Sequence, residues 1–109
     1  MELSDDDMQE IQRLLAIQQD NDLMSQWSAG SSADLFTAHP FAGAETVTHR
    51  VDAFFAGKNG TYVEYIRGPN WIDLWRAADA VIERSGDHHH IFIERFEQEG
   101  ATLHLQVGS

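Results

Sequence analysis

Between Asn70 and Gly86 the chain spells out one amphipathic helix, and that helix stands between two segments that alternate as strands do. Trp71, Leu74, Trp75, Ala78, Val81 and Ile82 recur at i, i+3, i+4 and i+7, an apolar stripe that must be buried against another element. Asn70 with Asp73 three residues on is a variant of the capping box, and Gly86 is placed for a left-handed C-terminal cap. Before the helix, Thr46 to Phe55 alternates, with Val47, Val51, Ala53 and Phe55 on one side. Ala56 to Gly60 reads as a turn. Thr61 to Arg67 is a second strand, rich in Tyr and β-branched residues, and Gly68-Pro69 ends it. After the helix, His88 to Phe96 and Ala101 to Val107 form a last hairpin. Two hairpins flanking one helix predict an α+β fold: ββαββ, a four-stranded antiparallel sheet with helices on one face.

Ahead of this core, Ser4 followed by Asp5, Asp6 and Asp7 reads as a helix N-cap with acids suited to the helix dipole. Met8, Ile11, Leu14 and Leu15 continue at helical spacing. The pattern predicts one helix from about residue 5 to 19 and a short second helix reaching Trp27. Residues 28–45 are the least regular stretch. A loop this long is either functional or a linker, here one that pins Phe36 and Phe41 into the core. The expected organisation is a single domain, 1–109, with a helical segment 1–27, an irregular loop 28–45 and a ββαββ core 46–109.

Charge narrows the partners. With 18 Asp and Glu against seven Lys and Arg, the formal net charge is −11, which disfavours a nucleic-acid backbone and an anionic membrane surface. The absence of cysteine excludes disulfides, thiolate metal sites and cysteine nucleophiles. The acidic start is unlike a secretory leader, and no apolar run approaches the ~18 residues of a membrane span. These features lead one to expect a soluble, cytoplasmic protein.

The last hairpin carries the candidate functional residues. If Leu103, Leu105 and Val107 face the core opposite Ile91 and Ile93, then Glu97 pairs with Ala101 and Gln98-Glu99-Gly100 is the loop. The other face then holds His88, His90, Phe92, Glu94 and Phe96 opposite Thr102, His104 and Gln106, with Glu94 across from His104. Two phenylalanines on that face need a cover: a second copy of the chain, the 28–45 segment or a ligand. Phe92 and Phe96 are therefore the expected interface residues, and a homodimer through the sheet the expected assembly.

Asp87-His88-His89-His90 gathers three imidazoles beside a carboxylate, where proton transfer or metal binding is chemically available; the same run also suits a plain helix C-terminal cap. His90, Glu94 and His104 have the residue types of a two-histidine, one-carboxylate metal triad, but His90 and Glu94 would lie ~13 Å apart along a strand, so no metal and no cofactor is expected. No Ser-His-Asp set or phosphate-binding glycine loop can be assigned. Helix, His-His, then hairpin resembles the pterin-4a-carbinolamine dehydratases, with Asp87-His88-His89 standing for part of their His-His-Pro motif. His90 occupies the proline position, and His104 is a loose substitute for a third histidine. Three readings follow. The first is a small acidic binding domain, self-associating and with room for a small-molecule ligand. The second is a pterin dehydratase-like enzyme whose catalytic residues would come from His88, His90, His104 and Glu94. The third is a metal-binding protein.

Overall fold

A computed structural model describes residues 4–51, 60–86 and 90–108. The chain is α+β, with an N-terminal helix as expected: α1 (Asp5–Asp20), β1 (Gln26–Trp27), a 3₁₀ turn (Ser32–Asp34), β2 (Thr46–Val51), β3 (Gly60–Tyr65), α2 (Trp71–Ser85), β4 (Phe92–Glu99) and β5 (Thr102–Gly108). The sheet is five-stranded and mixed, in the order β1-β4-β5-β2-β3, rather than four-stranded and antiparallel.

Two local facts produce that difference. The first is the length of α2. Its 15 residues span about 22 Å, enough to carry the chain from the end of β3 back to the level where β3 began. One such return makes β4 run in the direction of β3. β5 then runs with β2, and the two hairpins join through a parallel β2–β5 pair, Val47 beside Leu103. The second is the segment expected to form a short helix ending at Trp27. It instead pairs in parallel with β4, Gln26 beside Phe92 and Trp27 beside Ile93.

The helices form for the reasons visible in their sequences. Ser4 Oγ accepts from the Asp7 N–H at 3.1 Å. The Asn70 N–H donates to Asp73 Oδ2 at 2.9 Å, and Gly86 closes α2 at φ 75°. Gly68 is required by contact: a Cβ there would lie 2.4 Å from Asp73 Oδ2. The stripe of α2 builds the core, with Leu74, Trp75, Ala78, Val81 and Ile82 buried against Val47, Ile93 and Leu103.

Trp27 is the hub of an aromatic cluster on this core. Its ring centroid lies 5.6 Å from Trp75, 6.0 Å from Trp71 and 6.0 Å from Phe96. Phe41, from the irregular loop, closes the cluster at 5.7 Å from Trp71 and 6.2 Å from Phe96. The expectation that the loop pins two phenylalanines into the core is met by Phe41 alone; Phe36 is 60% exposed.

A buried carboxylate fastens β1 to α2. Asp79 Oδ1 accepts from the Met24 N–H at 3.0 Å, the Ser25 N–H at 2.8 Å and Ser25 Oγ at 2.5 Å. Ser25 Oγ in turn accepts from the Trp75 indole N–H at 3.0 Å. Two predictions follow from these contacts. Trp75→Ala lowers the unfolding free energy by roughly 3–5 kcal/mol. Asp79→Ala, which strands three donors, two of them buried, costs roughly 3 kcal/mol, whereas Asp79→Asn keeps one acceptor oxygen and costs less. Urea unfolding followed by tryptophan fluorescence measures all three.

Candidate functional site

Among the described residues the histidines do not converge. Asp87, His88 and His89 lie outside the described residues. The β4–β5 loop has two residues, Gly100-Ala101, because Gly100 takes φ 60° at its first position and Glu99 pairs with Thr102. This moves Glu97, not Glu94, opposite His104. His90 is seven residues before Glu97, so it sits roughly 20 Å from His104 along the strand. His104 is a surface residue with Nε2 3.8 Å from Glu99 Oε1. Among the described residues, no group of three or more His, Asp or Glu could hold a metal.

A bulge between Ile93 and Arg95 changes the faces of β4. Beyond it Phe96 points into the core opposite Leu105 and is 7% exposed. Of the covers expected for Phe96, the structure uses the 28–45 segment through Phe41, together with Trp27. Phe92 stays half-buried opposite Gly108. The interface pair expected from the sequence is thus split between the core and the surface.

The other histidines are local. His39 accepts from the Phe41 N–H at Nδ1, 3.2 Å. Its pKa is lowered by burial, partly offset by the negative charge of Asp73. His49 is buried on β2, on the core side with Val47 and Val51.

Two surfaces stand out instead. The first is the sheet face turned away from α2. The strand registers place Tyr65, Thr46, Thr102 and Glu99 in one row and Val63, Thr48, His104 and Glu97 in the next, followed by the pairs Thr61 with Arg50 and Gln106 with Arg95. Tyr65 is 67% exposed and Val63 46%. The signal for this face was in the sequence: it is the complementary set to Val47, His49 and Val51 along β2.

The second is a groove of about 260 Å³ between α1 and β1, walled by Ile11, Leu14, Leu15, Trp27 and Trp75, with Gln18, Gln26 and Ser28 at its rim. No residue of α1 is fully buried, and Met8, Ile11 and Leu15 are each about half exposed. α1 is held by polar clips in its second turn and near its C-terminal end. Gln18 Nε2 donates to the Ser25 carbonyl at 2.8 Å. Glu10 accepts from the Ser32 N–H and from Ser32 Oγ, both at 2.6 Å.

The two free edges of the sheet differ. On β3, the Val63 carbonyl accepts from Arg84 Nη2 at 2.8 Å and the Tyr65 N–H donates to Glu64 Oε1 at 3.1 Å, so side chains occupy the edge. On β1, Gln26 and Ser28 donate inward to Ile91 and Ile93. Trp27, between them, turns its N–H and C=O away from β4, and neither meets a partner among the described residues. Its buried indole N–H also lacks one.

Comparison with family models, with curated proteins and with solved structures finds no match to this chain. Among the described residues no helix is long and apolar enough to cross a membrane.

The Glu10 clip has a pH dependence. Hydrogen bonds from Ser32, and then the nearby Arg13 charge, hold the Glu10 carboxyl below its ordinary value of 4.5. A depressed carboxyl stabilises the folded contact above its unfolded pKa, and that contribution disappears as pH falls through the lower folded value. The protection factor of the Ser32 amide, its exchange rate relative to the unstructured rate at the same pH, should therefore fall on acidification from pH 6 to below 4.5. Glu10→Gln should lower that protection factor already at pH 6 and remove its change with acid.

Proposed function

We propose that this chain works by binding, as an acidic interaction domain that pairs with a second copy of itself through the open face of its sheet. The observation that carries the reading is the composition of that face. Tyr65 and Thr46, with Val63, Thr48 and His104 in the row beside them, present half-exposed and exposed side chains on this face. The face is also electrically balanced, with Arg50 and Arg95 against Glu97 and Glu99, in a chain whose formal net charge is −11. Two such acidic chains repel over most of their surfaces, so a locally neutral patch is where they can approach. A two-fold axis through the face would set Arg50 and Arg95 of one copy against Glu97 and Glu99 of the other. A catalytic reading through His90 and His104 would need these residues in one pocket, whereas the partner of His104 on β4 is Glu97, seven residues beyond His90.

Sedimentation velocity tests the reading. The unaltered chain should dimerise in the micromolar range, and Tyr65→Glu or Arg95→Glu should weaken the dimer at least tenfold, about 1.4 kcal/mol. A chain that stays monomeric at high micromolar concentration overturns it.

A further inference from the structure

We propose that His104 and Glu99 are one half of a zinc site, which two copies of this chain complete across the open face of the sheet. The proposal rests on the dimer reading above and names a ligand for that same face. Three observations converge on it.

The first is donor geometry. His104 Nε2 lies 3.8 Å from Glu99 Oε1, which is long for a hydrogen bond. Imidazole and carboxylate are ordinary zinc ligands, and two such donors on one tetrahedral zinc, each ~2.1 Å from the metal, stand about 3.4 Å apart. Both side chains reach solvent, His104 43% and Glu99 87% exposed. A small movement of either brings the pair to that spacing, and nothing in the core has to shift.

The second is incompleteness. Among the described residues no group of three or more His, Asp or Glu could hold a metal. One copy therefore offers two ligands on this face where zinc takes four. A two-fold axis passing beside His104 supplies the other two as the same residues of a second copy. The place in the fold suits this. β5 is the middle strand in the order β1-β4-β5-β2-β3, and His104 stands on it between Thr48 of β2 and Glu97 of β4. Stacked sheets pack about 10 Å apart, so a metal midway lies about 5 Å above each. That is within the combined reach of an imidazole and a ~2 Å bond to zinc.

The third is charge. A chain of formal net charge −11 draws dications to its surface and repels its own copies. A zinc ion shared by two carboxylates and two imidazoles is neutral as a unit, and it places positive charge where the two chains meet. Glu97 is held by Arg95 at 3.2 Å, which leaves Glu99 as the carboxylate beside His104.

Sedimentation velocity on the full chain, in EDTA and in a slight excess of zinc chloride, tests the site, with calorimetry to count the zinc bound. Expected is a dimer dissociation constant at least tenfold lower in zinc than in EDTA. One zinc per two chains should be lost in His104→Gln. In His104→Gln and in Glu99→Gln, both at exposed positions, the zinc effect on the dimer should disappear while circular dichroism is unchanged. A chain that dimerises in EDTA and gains nothing from zinc overturns the zinc site alone. A chain that is monomeric in EDTA and dimeric in zinc overturns the metal-free dimer alone. A chain that is monomeric in both overturns both readings. Tightening by zinc that survives either substitution also overturns the site.

Discussion

One buried carboxylate organises this molecule. Asp79 sits on the inner side of α2 and collects the Met24 N–H, the Ser25 N–H and the Ser25 hydroxyl on a single oxygen. A charge taken out of water is tolerable only when donors replace its hydration. The segment that supplies those donors is the one that leads into β1. Fixing residues 24 and 25 places Trp27 against Trp71, Trp75 and Phe96. That cluster in turn seats Phe41 and the irregular loop around it. The fifth strand, the aromatic cluster and the α1 groove all depend on this contact between two stretches more than fifty residues apart.

Long-range dependence of this kind explains what could be read from the sequence. α2 was legible from end to end, because the stripe, Asn70, Asp73 and Gly86 are all local signals. The inner faces of β2 and β5 were legible from their alternation, Val47 with Val51 and Leu103 with Leu105. β1 was not, because two residues cannot display a period and Leu23, Met24 and Trp27 happen to match helical spacing. The mixed character of the sheet was not legible either, since strand direction follows from how far α2 carries the chain. At the candidate site, the histidine run drew attention by composition, whereas the distance of His90 from His104 depends on register. The open face could have been found as the complement of the core-facing residues on β2 and β3.

The acidic charge and the architecture act together. Cations are few, and several are committed to local work: Arg84 closes the edge of β3, Arg76 bonds Asn21 and pairs with Asp73, and Arg13 pairs with Glu10. Exposed pairs of this sort contribute little to stability individually. Their more evident role is positional, since they blunt one edge and tie α1 down while the sheet face stays accessible.

The bulge in β4 bears on how the length of this chain can change. Ile93 and Phe96 both face inward although two residues separate them, because Glu94 is an extra residue on β4 and lies over Gly108, where even a methyl group would collide with it. Removing Glu94 would restore strict alternation and leave the flanking pairs as they are, Ile93 opposite Val107, Arg95 opposite Gln106 and Phe96 opposite Leu105. Phe96 would keep its place beside Trp27 and Phe41. One residue added or lost between Arg95 and the turn would instead move Phe96 to the solvent face and take a member from the aromatic cluster. A relative with a one-residue gap at position 94 could therefore keep this interior, whereas a gap two or three residues later would have to rebuild it.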